Sequence, residues 1–83
     1  MAYKNTVVAS NGNLRIMKSV KKSGSIKFLI KYTGIDYDKI AELDAICDPY
    51  GNRKVRYESW KFNTLQEAKE SMTLAILKGI HNG

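Results

Sequence analysis

The chain has 83 residues, 43% of them hydrophobic and 27% charged, a balance that suits one globular domain over 1–83 and excludes a disordered segment. No apolar run approaches the roughly 18 residues of a membrane-spanning helix, and Met1-Ala2-Tyr3-Lys4 lacks the apolar stretch of a secretory leader. The single cysteine, Cys47, has no partner for an internal disulfide and fits a reducing cytoplasm.

The net charge is +6 and the sequence pI about 9.6, which favours an anionic partner. Residues 1–35 carry seven basic groups and no acidic one; 36–48 hold Asp36, Asp38, Glu42, Asp44 and Asp48 against Lys39 alone. Residues 49–63 return to +3, and 64–83 are neutral.

In chain order, Asn11-Gly12 sits between two alternating apolar runs and predicts a type I′ hairpin turn. That turn pairs Ser10 with Asn13, Ala9 with Leu14, Val7 with Ile16 and Tyr3 with Val20 on one face. Val8 then meets Arg15, Thr6 meets Met17 and Lys4 meets Ser19 on the other. Ile26, Phe28, Ile30 and Tyr32 alternate with Lys27, Leu29 and Lys31, the pattern of a half-buried strand. A three-residue loop, Lys22-Ser23-Gly24, brings Val20 opposite Ile26, Ile16 opposite Ile30 and Leu14 opposite Tyr32, so two turns agree on one apolar face.

Residues 36–47 fit two patterns. Tyr37, Ile40, Leu43 and Cys47 mark a helical stripe, whereas Ala41, Leu43, Ala45 and Cys47 alternate as a strand. The turn Asp48-Pro49-Tyr50-Gly51, followed by Arg53-Lys54-Val55-Arg56-Tyr57, favours the strand, since a hairpin through it pairs Asp44 with Arg56, Ala45 with Val55 and Leu43 with Tyr57. Thr64-Leu65-Gln66-Glu67 is a capping box that opens a helix with Leu65, Ala68, Met72, Ala75, Ile76, Gly79 and Ile80 on one face. The expected fold is therefore α+β: an antiparallel meander of about five strands packed on one C-terminal helix (βββββα).

Two surfaces attract a binding function. The outward face of the first three strands collects Lys4, Arg15, Lys27 and Lys31 around Val8, Met17 and Leu29; the cations suit phosphates, while the aliphatic residues suit a protein contact or dimer seam. Around Trp60, the residues Arg53, Lys54, Arg56, Tyr57, Trp60, Lys61 and Phe62 interleave basic and aromatic groups, as nucleic-acid surfaces do, with Arg53, Lys54, Trp60 and Lys61 the candidate contacts. Leu74 falls opposite the apolar face of the helix and suggests a protein or homodimer contact.

No catalytic constellation emerges. His81, the only histidine, is near the end, and Cys47 belongs to the core face. The carboxylates of 36–44 match no cation-binding spacing, and the glycines serve turns rather than a phosphate loop. Neither an enzyme, a cofactor, a metal, a small-molecule substrate nor a membrane role is expected.

Where the strands end in Trp60-Lys61-Phe62-Asn63-Thr64-Leu65-Gln66-Glu67-Ala68, the order of elements resembles that of PUR repeats and Whirly-type single-strand binders. It is also similar to the basic sheet-and-helix arm-binding domains of phage-type integrases, and to small phage proteins that block host machinery, anti-CRISPR proteins among them. Two functions follow as expectations. One is a nucleic-acid binder for single-stranded or structured DNA or RNA, working as a dimer. The other is a phage-encoded, non-catalytic inhibitor or adaptor directed at a host nucleic-acid enzyme.

Overall fold

Period-two alternation does produce the first half of the chain. In the computed structural model, which describes residues 3–56 and 58–82 and the backbone alone at Tyr3, it yields β1 (Tyr3–Asn11), β2 (Leu14–Lys21) and β3 (Ile26–Tyr32). These are followed by α1 (Tyr37–Cys47), β4 (Lys54–Arg56), β5 (Ser59–Phe62) and α2 (Leu65–Leu77). The fold is α+β, with five strands in one open sheet of order β1-β2-β3-β5-β4, every neighbouring pair antiparallel. No helix among the described residues is long and apolar enough to cross a membrane.

The β2–β3 hairpin has the expected register: Leu14 opposite Tyr32, Ile16 opposite Ile30, Val20 opposite Ile26. Its loop closes through Lys21 N–H to Ser25 O (2.9 Å), with Gly24 at φ 93°.

The first hairpin differs. Asn11 pairs with Leu14, so the two-residue loop is Gly12-Asn13, one position later than expected. Only Gly12 takes a positive φ (57°), which is the type II′ arrangement rather than type I′. The C-terminal segment explains the shift: His81 O accepts Asn13 N–H at 2.9 Å, and a Cβ on residue 12 would lie 2.2 Å from that oxygen. Glycine is needed where the chain end crosses the turn.

A bulge at Val8 makes a second correction. Ala9 pairs with Ile16, but Val7 then pairs with Met17, Asn5 with Ser19, Lys4 with Val20 and Tyr3 with Lys21. One extra residue flips the facing of everything before it. Lys4 therefore shares a face with Val20 and Ile26, and Val7 shares one with Met17.

Residues 37–47 form a helix, not the expected strand. Asp36 caps it, its Oδ1 accepting the N–H groups of Asp38 (3.0 Å) and Lys39 (3.4 Å). Ile40, Leu43 and Cys47 are buried while Ala41 and Ala45 are exposed, which is helical and not alternating spacing. None of the pairs Asp44–Arg56, Ala45–Val55 or Leu43–Tyr57 can exist as strand pairs; Tyr57 itself lies outside the described residues. The helix carries the chain from β3 to the far edge, so β4 is an edge strand and β5 slots between it and β3. The sheet is thus not a simple meander.

α2 starts as the capping box predicts, with Thr64 Oγ1 accepting Glu67 N–H at 3.2 Å. It ends in a Schellman motif: Ile80 N–H reaches Ala75 O (3.0 Å), Gly79 N–H reaches Ile76 O (2.9 Å), and Gly79 has φ 75°. Gly79 and Ile80 thus lie beyond the helix, although Ile80 remains buried.

The core lies between one sheet face and the two helices. Leu14, Ile16, Ile30, Tyr32, Trp60 and Phe62 supply the sheet side. Ile40, Leu43 and Cys47 of α1, with Ala68, Met72 and Ala75 of α2, supply the other. Burying each larger side chain contributes about 1.5–3 kcal/mol. Among the described residues, both helices pack on this core side and no helix or strand is placed on the opposite sheet face.

Candidate nucleic-acid interface

Strand parity defines the uncovered face. Arg15, Met17 and Ser19 of β2 stand opposite Lys31, Leu29 and Lys27 of β3. On β5, Ser59 continues the Lys31 row and Lys61 continues the Leu29 row. Arg56 of β4 pairs with Ser59 at the edge, while Ser10, Val7 and Asn5 of β1 complete the rows on the other side. The surface gathers five cations, Arg15, Lys27, Lys31, Arg56 and Lys61, around an aliphatic stripe of Val7, Met17 and Leu29.

The separation of charge is complete along the strands. No strand contains an acidic residue; all eight carboxylates belong to the helices, their caps and the turn at Glu58. Among the described residues, Arg15, Lys31, Arg56 and Lys61 have neither an ion-pair nor a hydrogen-bond partner for their side chains. Lys27 Nζ donates to Asn63 Oδ1 at 2.6 Å, a neutral partner that leaves the positive charge uncompensated. Unpaired like charges on one face raise the local potential and attract polyanions.

The sequence-derived candidates divide. Arg15, Lys27 and Lys31 do lie together around Met17 and Leu29, and Lys61 joins them. Lys4 does not, because the bulge turns it to the other face. Val8 occupies the bulge itself, with no residue opposite it in the ladder.

The Trp60 cluster is dispersed. Trp60 is 0% exposed, and its indole N–H donates to Asp44 Oδ1 at 2.9 Å, so its ring is closed to a base. Lys54, opposite Trp60 and therefore on the helix side, pairs with Asp44 at 3.0 Å. Arg53 pairs with Glu67 at 3.0 Å and lies over the Phe62 ring, 4.9 Å from its centroid. Both cations hold the sheet to the acidic helices. Arg56, a member of the basic-aromatic cluster that the strand reading of 36–47 matches to Asp44, instead faces outward opposite Ser59, because residues 37–47 form a helix.

Leu74 is 52% exposed on α2, one of the two helices on the core side of the sheet rather than on the cationic face. Leu77 is more exposed still, at 78%.

The helix side offers little reactive chemistry. Burial pushes the Cys47 thiol up to about 12, against the pull of the Arg53 guanidinium and with added push from Asp44 and Asp48. Such a thiol is protonated and a poor nucleophile near neutrality. Desolvation raises the Asp48 pKa, but the backbone N–H groups of Arg53, Asn52, Lys54 and Gly51 outweigh it and hold the carboxyl below its ordinary 3.8. Asp48 is structural: its Oδ1 accepts Asn52 N–H (2.7 Å) and Arg53 N–H (2.8 Å), and its Oδ2 accepts Lys54 N–H (3.1 Å), which steers the chain from α1 into β4.

A scan against models of known protein families found no match, and neither did searches among curated proteins and solved structures.

Proposed function

We propose that this protein is a non-catalytic nucleic-acid-binding module of the cytoplasm that uses its uncovered sheet face. The observation that carries the reading is the set Arg15, Lys27, Lys31, Arg56 and Lys61 on a face whose strands contain no carboxylate. A protein partner would need a matching acidic surface; a phosphate backbone supplies one along its whole length. The helix side carries seven of the eight carboxylates and orients the molecule with its cations toward the polyanion.

The test is fluorescence anisotropy against DNA and RNA probes over a salt series. If all five cations neutralise phosphates, affinity falls roughly 500-fold between about 50 and 200 mM salt, a slope near −4.5. Weak binding that ignores salt removes the proposal.

The second reading, a phage-encoded inhibitor or adaptor that contacts a host nucleic-acid enzyme, is favoured by the exposure of Leu74. Under that reading Leu74→Glu abolishes the contact and leaves nucleic-acid affinity unchanged. Pull-down of one partner from nuclease-treated lysate, lost in Leu74→Glu, would support it.

A further inference from the structure

The β2–β3 ribbon has dimensions that select among nucleic acids. The side chains of its outward parity come in cross-strand pairs, Arg15 with Lys31, Met17 with Leu29, and Ser19, itself only 8% exposed, with Lys27. Successive pairs are two residues apart, about 6.7 Å along the strands, which is about two base steps of B-form DNA at roughly 3.4 Å each. A two-stranded ribbon fits the major groove, about 12 Å wide. With the ribbon on the groove midline, the neighbouring strands β1 and β5 stand about 7 Å to either side, over the phosphate walls. β5 presents Lys61 there, and β1 presents Asn5 and Ser10, all exposed; these side-chain types hold phosphates.

The chemistry of the pairs matches the groove floor. Arg and Lys donate to guanine O6 and N7, and aliphatic side chains contact the thymine methyl. Met17 and Leu29, side by side between the cations, have no role in phosphate binding but do suit that methyl. No described aromatic side chain shares this face: Phe28, Tyr32, Trp60 and Phe62 take the core-side parity. Base stacking, the basis of sequence-tolerant single-strand binding, therefore has no platform among the described residues of this face. The deep, narrow major groove of an RNA duplex excludes such a ribbon.

We infer that the partner is duplex B-form DNA, with the β2–β3 ribbon along the major groove. Arg15 and Lys31 face a guanine, and Met17 and Leu29 face thymine methyls about two base pairs away. This rests on the nucleic-acid reading above and adds to it the form of the nucleic acid and the groups that read it.

The experiment measures anisotropy at one fixed salt concentration with a labelled mixed-sequence 20-bp DNA duplex, the same duplex with deoxyuridine for every thymidine, its single strands, and the RNA duplex. The expected result is binding to the DNA duplex about tenfold or more tighter than to single strands or RNA. Removal of the thymine methyls should weaken it about threefold or more. Met17→Ala with Leu29→Ala should erase the thymidine-deoxyuridine difference at that salt concentration and, in a separate salt series, retain the slope of the unmodified protein; circular dichroism verifies that this variant is folded. Should it unfold, Leu29→Met alone, expected to keep the difference, and Arg15→Ala, expected to lose the unmodified protein's preference for the mixed duplex over an added all-A·T duplex, take its place. Equal binding to single strands or RNA, or indifference to the methyl groups, overturns the ribbon inference and leaves the nucleic-acid reading standing. Failure of the unmodified protein to bind any probe removes both, and a dimer in light scattering under those conditions would assign the face to a second copy of the chain.

Discussion

The Trp60 indole N–H donates to Asp44 Oδ1 at 2.9 Å, and the same carboxylate holds Lys54 Nζ at 3.0 Å. One acidic residue on α1 thus satisfies the polar atom of the largest buried side chain and neutralises the cation beside it, whose Nζ lies 5.7 Å from the Trp60 ring centroid. Asp44→Ala leaves the indole N–H without its partner and should cost about 1–3 kcal/mol. Trp60→Ala, which empties the core, should cost about 3–5 kcal/mol. Urea unfolding followed by circular dichroism checks both. DNA affinity should stay unchanged in Asp44→Ala, since neither residue reaches the outward face.

That contact also shows why part of the molecule was legible in the sequence and part was not. The β2–β3 hairpin is readable because alternation and loop length both constrain its parity, and that parity brings Arg15, Lys27 and Lys31 together. The bulge at Val8 has no composition signal, so unbroken alternation puts Lys4 on the wrong face. Residues 37–47 misled because Asp48-Pro49-Tyr50-Gly51 reads equally well as a hairpin turn and as a helix exit. The available signal was Asp36, an N-cap residue, followed by a segment rich in Ala, Glu, Leu and Lys with only Ile40 and Ile46 β-branched. Trp60 resembles a stacking residue because basic residues surround it in the sequence, yet Lys54 serves Asp44, Arg53 serves Glu67, and Lys61 points to the other face of the sheet.

Charge reversal separates the two groups of cations. Lys31→Glu removes a side chain with no partner among the described residues, so stability should change by about 0.5 kcal/mol or less. Its nucleic-acid affinity should fall, and the neutral Lys31→Ala should lower the salt slope by about one. Lys54→Glu sets a carboxylate against Asp44 and should reduce stability while leaving the salt slope unchanged. Unfolding curves and a salt titration of each variant distinguish these outcomes.

Cys47 provides a chemical check on the core. Its thiol is fully buried and raised to about 12, so a thiol-specific reagent at pH 8 should react slowly with native protein and rapidly in denaturant. Linkage sets the alkaline behaviour. The folded state holds this proton more tightly than the unfolded state, whose thiol titrates near 9.0. The associated stability is whole below pH 9 and declines as pH rises toward about 12. Cys47→Ala should flatten that decline in alkaline urea titrations.

Asp48 gives the opposite slope. Its folded pKa lies below the ordinary 3.8 because backbone N–H groups favour the ionised form despite desolvation. Its stabilisation is therefore complete above the unfolded pKa and is lost as pH falls through the folded value. Asp48→Asn should lower the urea midpoint at pH 7, and the gap from the unmodified protein should narrow as pH falls below the ordinary 3.8 and close once the folded carboxyl is protonated. A gap that stays constant to pH 2.5 would show that the carboxylate charge contributes nothing to the turn.

Gly12 and Gly24 separate crossing of the chain end from backbone conformation alone. Both have positive φ, 57° and 93°, so alanine strains either site by about 1 kcal/mol. At Gly24 nothing lies within 4 Å of an added Cβ, whereas at Gly12 the Cβ would meet His81 O at 2.2 Å. Gly12→Ala must therefore also push the 80–82 segment away and weaken the bond from Asn13 N–H to His81 O. It should destabilise by about 2–4 kcal/mol, against about 1 kcal/mol for Gly24→Ala. Hydrogen exchange at Asn13 should accelerate in Gly12→Ala alone, because that amide loses its acceptor when the chain end moves off the turn.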